Sequence, residues 1–256
     1  MSSAAPRLLV LAGTTEARRL VEQLAGAGNW EVIASFAGRT SAPAALPASV
    51  RVGGFGGTAG LERFLIGEGI RAVVDATHPF AAVMPHHVHA ACASVGVPAI
   101  RLLRPGWEPV AGDHWVIAED VADAARRLCG LGVQRVLLTT GRQELLPFAG
   151  LGSMHFVVRT IEPIDPGLFA DAVTIRERGP FDLEGELALL GEHRIEAVVS
   201  KNSGGEATAA KLEAARMLGL PVVMVRRPMG PPARTVPGVA DALRWLSGVA
   251  VGVAGL

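Results

Sequence analysis

Several short runs in this chain carry residue types that bind phosphates, flat rings and carboxylates. Gly13-Thr14-Thr15-Glu16 follows an apolar run and opens a segment of helical period. Backbone N–H groups and the positive end of a helix dipole at such a turn suit a phosphate. The first glycine of the dinucleotide fingerprint is present, but Thr15 and Arg18 stand where its later small residues belong. A plain strand-to-helix turn with Thr14 or Thr15 as cap therefore stays open beside the phosphate reading. Ser35-Phe36-Ala37-Gly38-Arg39-Thr40-Ser41 lacks the acidic residue that takes the ribose diol of NAD. It offers hydroxyls from Ser35 and Thr40 and the Arg39 guanidinium, which can grip the 2′-phosphate of NADP in a bidentate pair. An arginine in solvent is the bland alternative. In Gly53-Gly54-Phe55-Gly56-Gly57, glycines such as Gly54 and Gly56 let backbone approach a ligand as flat as adenine, and a flexible turn fits equally well.

Asp75-Ala76-Thr77-His78-Pro79-Phe80 ends a further apolar run. Beside Thr77, His78 can give up a proton or hydrogen-bond a carboxamide, or be a histidine satisfied by its neighbours. His86, His87 and His89 look like a metal cluster, yet only His86 and His89 share i, i+3 spacing and no cysteine or carboxylate accompanies them. They read as the polar face of a helix, so no metal is expected. Later in the chain the chemistry changes. Gly141-Arg142-Gln143-Glu144 replaces threonines with a cation and an amide, and Lys201-Asn202-Ser203-Gly204-Gly205-Glu206 reads as a helix start with an S-x-x-E capping box. Lys201 is one of only two lysines. Such loops suit a small ligand with several carboxylates; pairing of the nearby arginines with surface acids is the alternative.

An internal repeat positions these runs. Arg7-Leu-Leu-Val-Leu-Ala-Gly13 is echoed by Arg135-Val-Leu-Leu-Thr-Thr-Gly141, and Ile70-Arg-Ala-Val-Val-Asp75 by Ile195-Glu-Ala-Val-Val-Ser200. Gly96 to Pro105 answers to Gly219 to Pro228, and Val121 to Leu128 to Val239 to Leu246, in the same order. One supersecondary plan is used twice. Short Val/Ile/Leu runs alternate with helix-period segments. Ala17, Leu20, Val21 and Leu24 mark one helix face, Val88, Ala91, Cys92 and Val95 another, and glycines 26, 28 and 96 supply stops. Continuous apolar strands separated by helices mean parallel sheets covered on both faces, with ligands at the carboxyl ends of the strands. The expected fold is α/β, with two Rossmann-like domains of parallel sheet related by the repeat and a cleft between them. The expected division is 1–106, a connecting segment with a helix at 107–132, and 133–256. A strand near the junction can also pair with the other half's sheet, because the two sheets share one pattern.

Composition excludes several classes. Half of the 256 residues are hydrophobic, enough for a full core, and the charges cancel, 24 basic against 24 acidic. No basic excess points to nucleic acid. Two cysteines without a CxxC argue against a disulfide framework and for a reducing cytoplasm. The run after Arg7 is too short for a signal peptide, and the apolar tail from Val249 falls far short of the roughly 20 residues of a membrane span, so no membrane partner is expected.

Taken together, Leu11 to Arg18, Gly38-Arg-Thr40, Gly53 to Gly57, Asp75 to Ala81, Thr139 to Glu144, Arg178-Gly-Pro-Phe181 and Lys201 to Gly205 resemble the precorrin-6A reductase family of cobalamin biosynthesis. The segments follow family order over nearly the whole chain. The resemblance implies an NADPH-dependent oxidoreductase acting on a CH–CH group, saturating the C18–C19 bond of precorrin-6A to give precorrin-6B. It implies NADPH mainly on the first domain, with Gly13, Thr14, Thr15, Gly38, Arg39 and Thr40 at its phosphates and Thr77 and His78 at the nicotinamide end. The tetrapyrrole, rich in carboxylate arms, would be held by Arg142, Gln143, Lys201, Asn202 and Ser203. His78 is the first candidate proton donor and Lys201 the second. A monomer is the simplest assembly. Alternatives are another NADP-dependent reductase on this scaffold, or a two-lobed non-catalytic binder of a small anion.

Overall fold

The computed structural model describes residues 5–37 and 46–254. The chain runs β1 (Arg7–Ala12), α1 (Thr15–Ala27), β2 (Glu31–Phe36), β3 (Ser49–Val52), α2 (Gly57–Gly67), β4 (Ile70–Ala76), α3 (Met84–Val95) and β5 (Ala99–Leu102). It continues through β6 (His114–Ala118), α4 (Val121–Leu131), β7 (Arg135–Leu138), α5 (Leu146–Ala149), β8 (His155–Thr160), β9 (Ala172–Arg176), α6 (Leu183–Glu192), β10 (Ala197–Lys201), α7 (Ala210–Met217) and β11 (Pro221–Val225). β12 (Thr235–Val236) and α8 (Val239–Ala254) close it. Two six-stranded sheets form, ordered β12-β5-β4-β1-β2-β3 and β6-β11-β10-β7-β8-β9. Every pairing is parallel. Each sheet thus repeats the doubly wound order in which a second run of strands starts beside the first strand and proceeds the other way.

The inner strands are buried on both sides because most of their positions are apolar. Leu8 and Val10 of β1 join a core with Leu20, Val21 and Leu24 of α1 and Ala242 and Leu246 of α8. Leu9 and Leu11 face the opposite way, into Leu61 and Leu65 of α2 and Val88 and Cys92 of α3. Burying one such leucine contributes roughly 1.5–3 kcal/mol, which no polar residue in these strands would match. The α1 face is the one its spacing predicts, Ala17, Leu20, Val21 and Leu24. In α3, Val88, Ala91 and Cys92 are buried and Val95 only partly so. Gly28 and Gly96 end these helices at φ +67° and +72°, as the left-handed C-cap requires. Gly26 instead lies within α1.

The division of the chain differs from 1–106, 107–132 and 133–256. One compact unit comprises residues 1–104 and 228–256, the other Pro105–Arg227. Residues 107–132 are no connector: β6 pairs with β11 from His114 opposite Pro221 to Ala118 opposite Val225, and Ala124, Ala125 and Leu128 of α4 are buried. The last segment returns to the first unit, where β12 pairs with β5 and α8 packs on α1. The cause is the repeat itself. Five strands from each half would leave one edge open, and the exchange fills it: the first half supplies β6 and α4 to the second unit, and the second half supplies β12 and α8 to the first. Among the described residues no helix is long and apolar enough to cross a membrane.

Candidate functional site

In the first unit β1 and β4 are neighbours, and the chain leaves them in opposite directions, so their carboxyl ends border the crevice where open α/β sheets take ligands. Gly13 sits there so tightly that a Cβ would lie 3.3 Å from the His78 nitrogen and 3.5 Å from Thr77 Cα. Thr14 ties the two loops together. Its hydroxyl donates to the Ala76 carbonyl (3.2 Å) and accepts from the Ala17 N–H (3.1 Å) as the N-cap of α1. The one donor of that hydroxyl is spent on Ala76, so what Thr14 offers an anionic ligand is its backbone N–H. Thr15, exposed, and Glu16 begin the first turn of α1, where N–H groups project without helical acceptors. Glu16 is held by Arg104 Nη1 at 2.7 Å.

Across the crevice, Asp75 Oδ1 accepts from both the Thr77 N–H (3.0 Å) and the Thr77 hydroxyl (2.6 Å). Burial pushes the Asp75 carboxyl above its usual range, against the pull of Thr77 and Arg101. His78 Nδ1 accepts the Phe80 N–H at 3.2 Å, so the neutral ring carries its proton on Nε2, as this network assigns it. At the other end of the sheet Ser35 is buried, and Arg51, its register partner on β3, donates to it at 3.4 Å. The same guanidinium donates to the carbonyls of Gly53 (2.5 Å) and Gly54 (2.6 Å) and lies 3.9 Å over the Phe55 ring. Gly56, at φ +81°, caps α2, and Gly60 packs so closely on the Phe55 carbonyl that no side chain fits. Arg51 is a member of this site that motif reading missed; its place two residues before the glycine run was the one local signal, and its register opposite Ser35 shows only in the fold. Gly38, Arg39 and Thr40 lie outside the described residues.

The second unit places β7 beside β10 in the same way. Gly141 turns at φ +86° into a 3-10 turn, Arg142–Glu144, which exposes Arg142 and Gln143. Glu144 Oε1 bridges the two loops to Lys201 Nζ at 3.3 Å. Three expectations change here. Asn202 spends its amide on Trp107, accepting the Trp107 N–H at 2.7 Å and donating to its carbonyl at 2.9 Å, so it anchors a loop. Gly204 is buried under the Pro105 carbonyl and the Arg227 side chain and faces the chain's own backbone. The Ser203 to Glu206 capping box does not form: Gly204 and Gly205 stand at φ +66° and +86°, the Ser203 N–H turns to the Lys201 carbonyl, and α7 starts later without a side-chain cap.

Behind these loops lies a buried group of charges. Arg159 meets Glu186 at 2.8 Å and stacks 3.9 Å over Phe181, while Lys211 Nζ donates to the Thr208 carbonyl at 2.5 Å and faces the Trp107 ring. Burial, with Arg159 adding to it, pushes the Lys211 ammonium down to about 7. A cation whose folded pKa is depressed costs stability in full below that value. The cost fades as pH rises towards the unfolded pKa of about 10.4. The Tm advantage of Lys211→Met over the parent should therefore grow as pH falls from 10 to 7 and then level off. A difference independent of pH would show that Lys211 is not buried as a strained base. Among the described residues no three His, Cys, Asp or Glu side chains gather as metal ligands.

Residues 7–247 match the family model described as Precorrin-6x reductase CbiJ/CobK. The chain is 46% identical over 241 residues to precorrin-6A reductase of Rhodococcus erythropolis, covering 94% of this chain and 97% of that one. It is 44% identical to precorrin-6A reductase of Rhodobacter capsulatus, covering 94% and 96%. A solved structure titled CobK precorrin-6A reductase superposes with a TM-score of 0.90 at 43% identity, covering 95% of this chain and 97% of that one.

Proposed function

The chain belongs to the precorrin-6x reductase family, and from that premise we propose that it reduces the C18–C19 double bond of precorrin-6A with NADPH, giving precorrin-6B in cobalamin biosynthesis. Identity of 41–46% to precorrin-6A reductases across most of the chain supports the reaction. The observation that carries the cofactor reading is Gly13 pressed against the Thr77–His78 backbone where β1 and β4 end. A crevice floored by backbone, beside the first turn of α1, fits a pyrophosphate.

NADPH bound there supplies a hydride. Gly13 and the first turn of α1, through Thr14 and Thr15, hold its phosphates by backbone N–H groups. Ser35, Gly38, Arg39 and Thr40 take the 2′-phosphate end, and the loop of Gly54 and Gly56, braced by Arg51, takes the adenine. Thr77 and His78 face the nicotinamide. His78 Nε2 is the first choice to hand over a proton and Lys201 the second. Arg142, Gln143, Lys201 and Ser203 hold the carboxylate arms, with Gly141 shaping their loop and Asn202 contributing through the Trp107 segment it anchors. The two free cysteines suit a reducing cytoplasm.

Incubation with [4,4-²H₂]NADPH, deuterated at both C4 positions, should place one deuterium in the reduced macrocycle; a product free of label would overturn the reading. Arg39→Ala should raise the Kd for NADPH roughly 10–100-fold, about 1.4–2.8 kcal/mol, with the Kd for NADH almost unchanged. Equal losses for both would show that Arg39 does not read the 2′-phosphate.

A further inference from the structure

A buried ion pair lies under the Thr77–His78 loop. Asp75 and Arg101 are 2% and 7% exposed, are register partners on β4 and β5, and bring Oδ2 and Nε to 3.7 Å. Arg101 Nη1 fills the space beside Gly230, where a side chain would collide with it. The other oxygen of Asp75 takes both polar groups of Thr77, the N–H and the hydroxyl.

The internal repeat supplies a control. In the second unit the equivalent register pair on β10 and β11 is Ser200 and Met224, each 1% exposed. The same sheet position is therefore filled without charges. A buried ion pair is a poor stabiliser, because removing two charges from water offsets most of their attraction. The fold does not require this pair, yet the first unit places it one residue short of the strand end, gripping the loop beside Gly13.

We infer that Asp75, in a buried ion pair with Arg101, is a positioning residue that fixes the Thr77–His78 loop in the shape in which it meets the cofactor. This rests on the reading that Thr77 and His78 face the nicotinamide. The carboxylate touches neither reactant; it locks the Thr77 rotamer and the backbone leading to His78. Hydride transfer is sensitive to placement, and a shift of about 1 Å costs on the order of 100-fold in rate.

The test uses the full-length protein and the double variant Asp75→Ala/Arg101→Met, which removes both charges and strands neither. Two readouts are taken. Amide hydrogen exchange at Thr77, without any nucleotide, should accelerate at least about 10-fold while exchange in β1 stays unchanged. In turnover, kcat should fall roughly 10–100-fold while KM for NADPH and for precorrin-6A stays within about threefold. Thr77→Val alone should lower kcat comparably, and combining it with the double variant should add little, because both act through one contact. Unchanged Thr77 exchange, or losses that multiply in the combined variant, would overturn the inference. If Thr77→Val changes neither kcat nor nucleotide Kd while Thr77 exchange still accelerates in the double variant, the nicotinamide assignment of the loop fails, and the functional part of this inference fails with it.

Discussion

Gly13→Val should raise the Kd for NADPH about 100-fold and reduce turnover to match, with a thermal midpoint lowered by no more than about 10 °C. A Cβ at this position would lie 3.3 Å from the His78 nitrogen and 3.5 Å from Thr77 Cα, both backbone atoms. That backbone cannot retreat easily. Ala76 is tied to Thr14 at 3.2 Å, and Thr77 to Asp75 at 3.0 and 2.6 Å. A branched side chain must therefore project into the crevice or force the two loops apart, an overpacking cost of about 1–3 kcal/mol. Either result closes the floor over which a pyrophosphate would lie. Gly13→Ala should show the same defect at smaller size. Fluorescence titration with NADPH checks both variants, and a Kd within threefold of the parent for valine would remove Gly13 from the cofactor site.

Lys201→Ala should weaken macrocycle binding roughly 10–100-fold and leave the Kd for NADPH unchanged. Lys201 ends β10 at the position where the second unit's loops meet, 3.3 Å from Glu144. One charge-assisted contact to a carboxylate arm is worth about 1.5–3 kcal/mol, which sets the expected range. Removing the ammonium also leaves Glu144 facing the incoming carboxylates, and that adds in the same direction. The split between KM for precorrin-6A and Kd for NADPH is the readout. A defect confined to NADPH would overturn the division of labour between the two units.

How much of this was legible in the sequence follows from what each signal encodes. Helix faces such as Ala17, Leu20, Val21 and Leu24 were readable, because burial acts on every turn and leaves a period. The parallel sheets were readable from short, mostly apolar strand runs alternating with helices. The exchange of β6 and β12 was open but unassigned, because two copies of one pattern offer equivalent edges and periodicity carries no partner information. The capping box at Ser203 failed because Gly204 and Gly205 were read as helix entry, although two glycines in succession equally allow the positive φ they adopt. Asn202 looked like a ligand group because its type and loop suited one; only the fold reveals that Trp107, 95 residues away, takes both ends of its amide. Arg51 and the Asp75–Arg101 pair escaped for a related reason. Their roles depend on register between neighbouring strands, Ser35 with Arg51 and Asp75 with Arg101, which no motif within one strand reports.

Anaerobic incubation of the purified protein with precorrin-6A and NADPH, following nicotinamide absorbance together with product mass, tests the central claim most directly. The account predicts one NADPH oxidised for each macrocycle that gains two hydrogens. NADPH that binds and stays reduced while the macrocycle keeps its mass would contradict it.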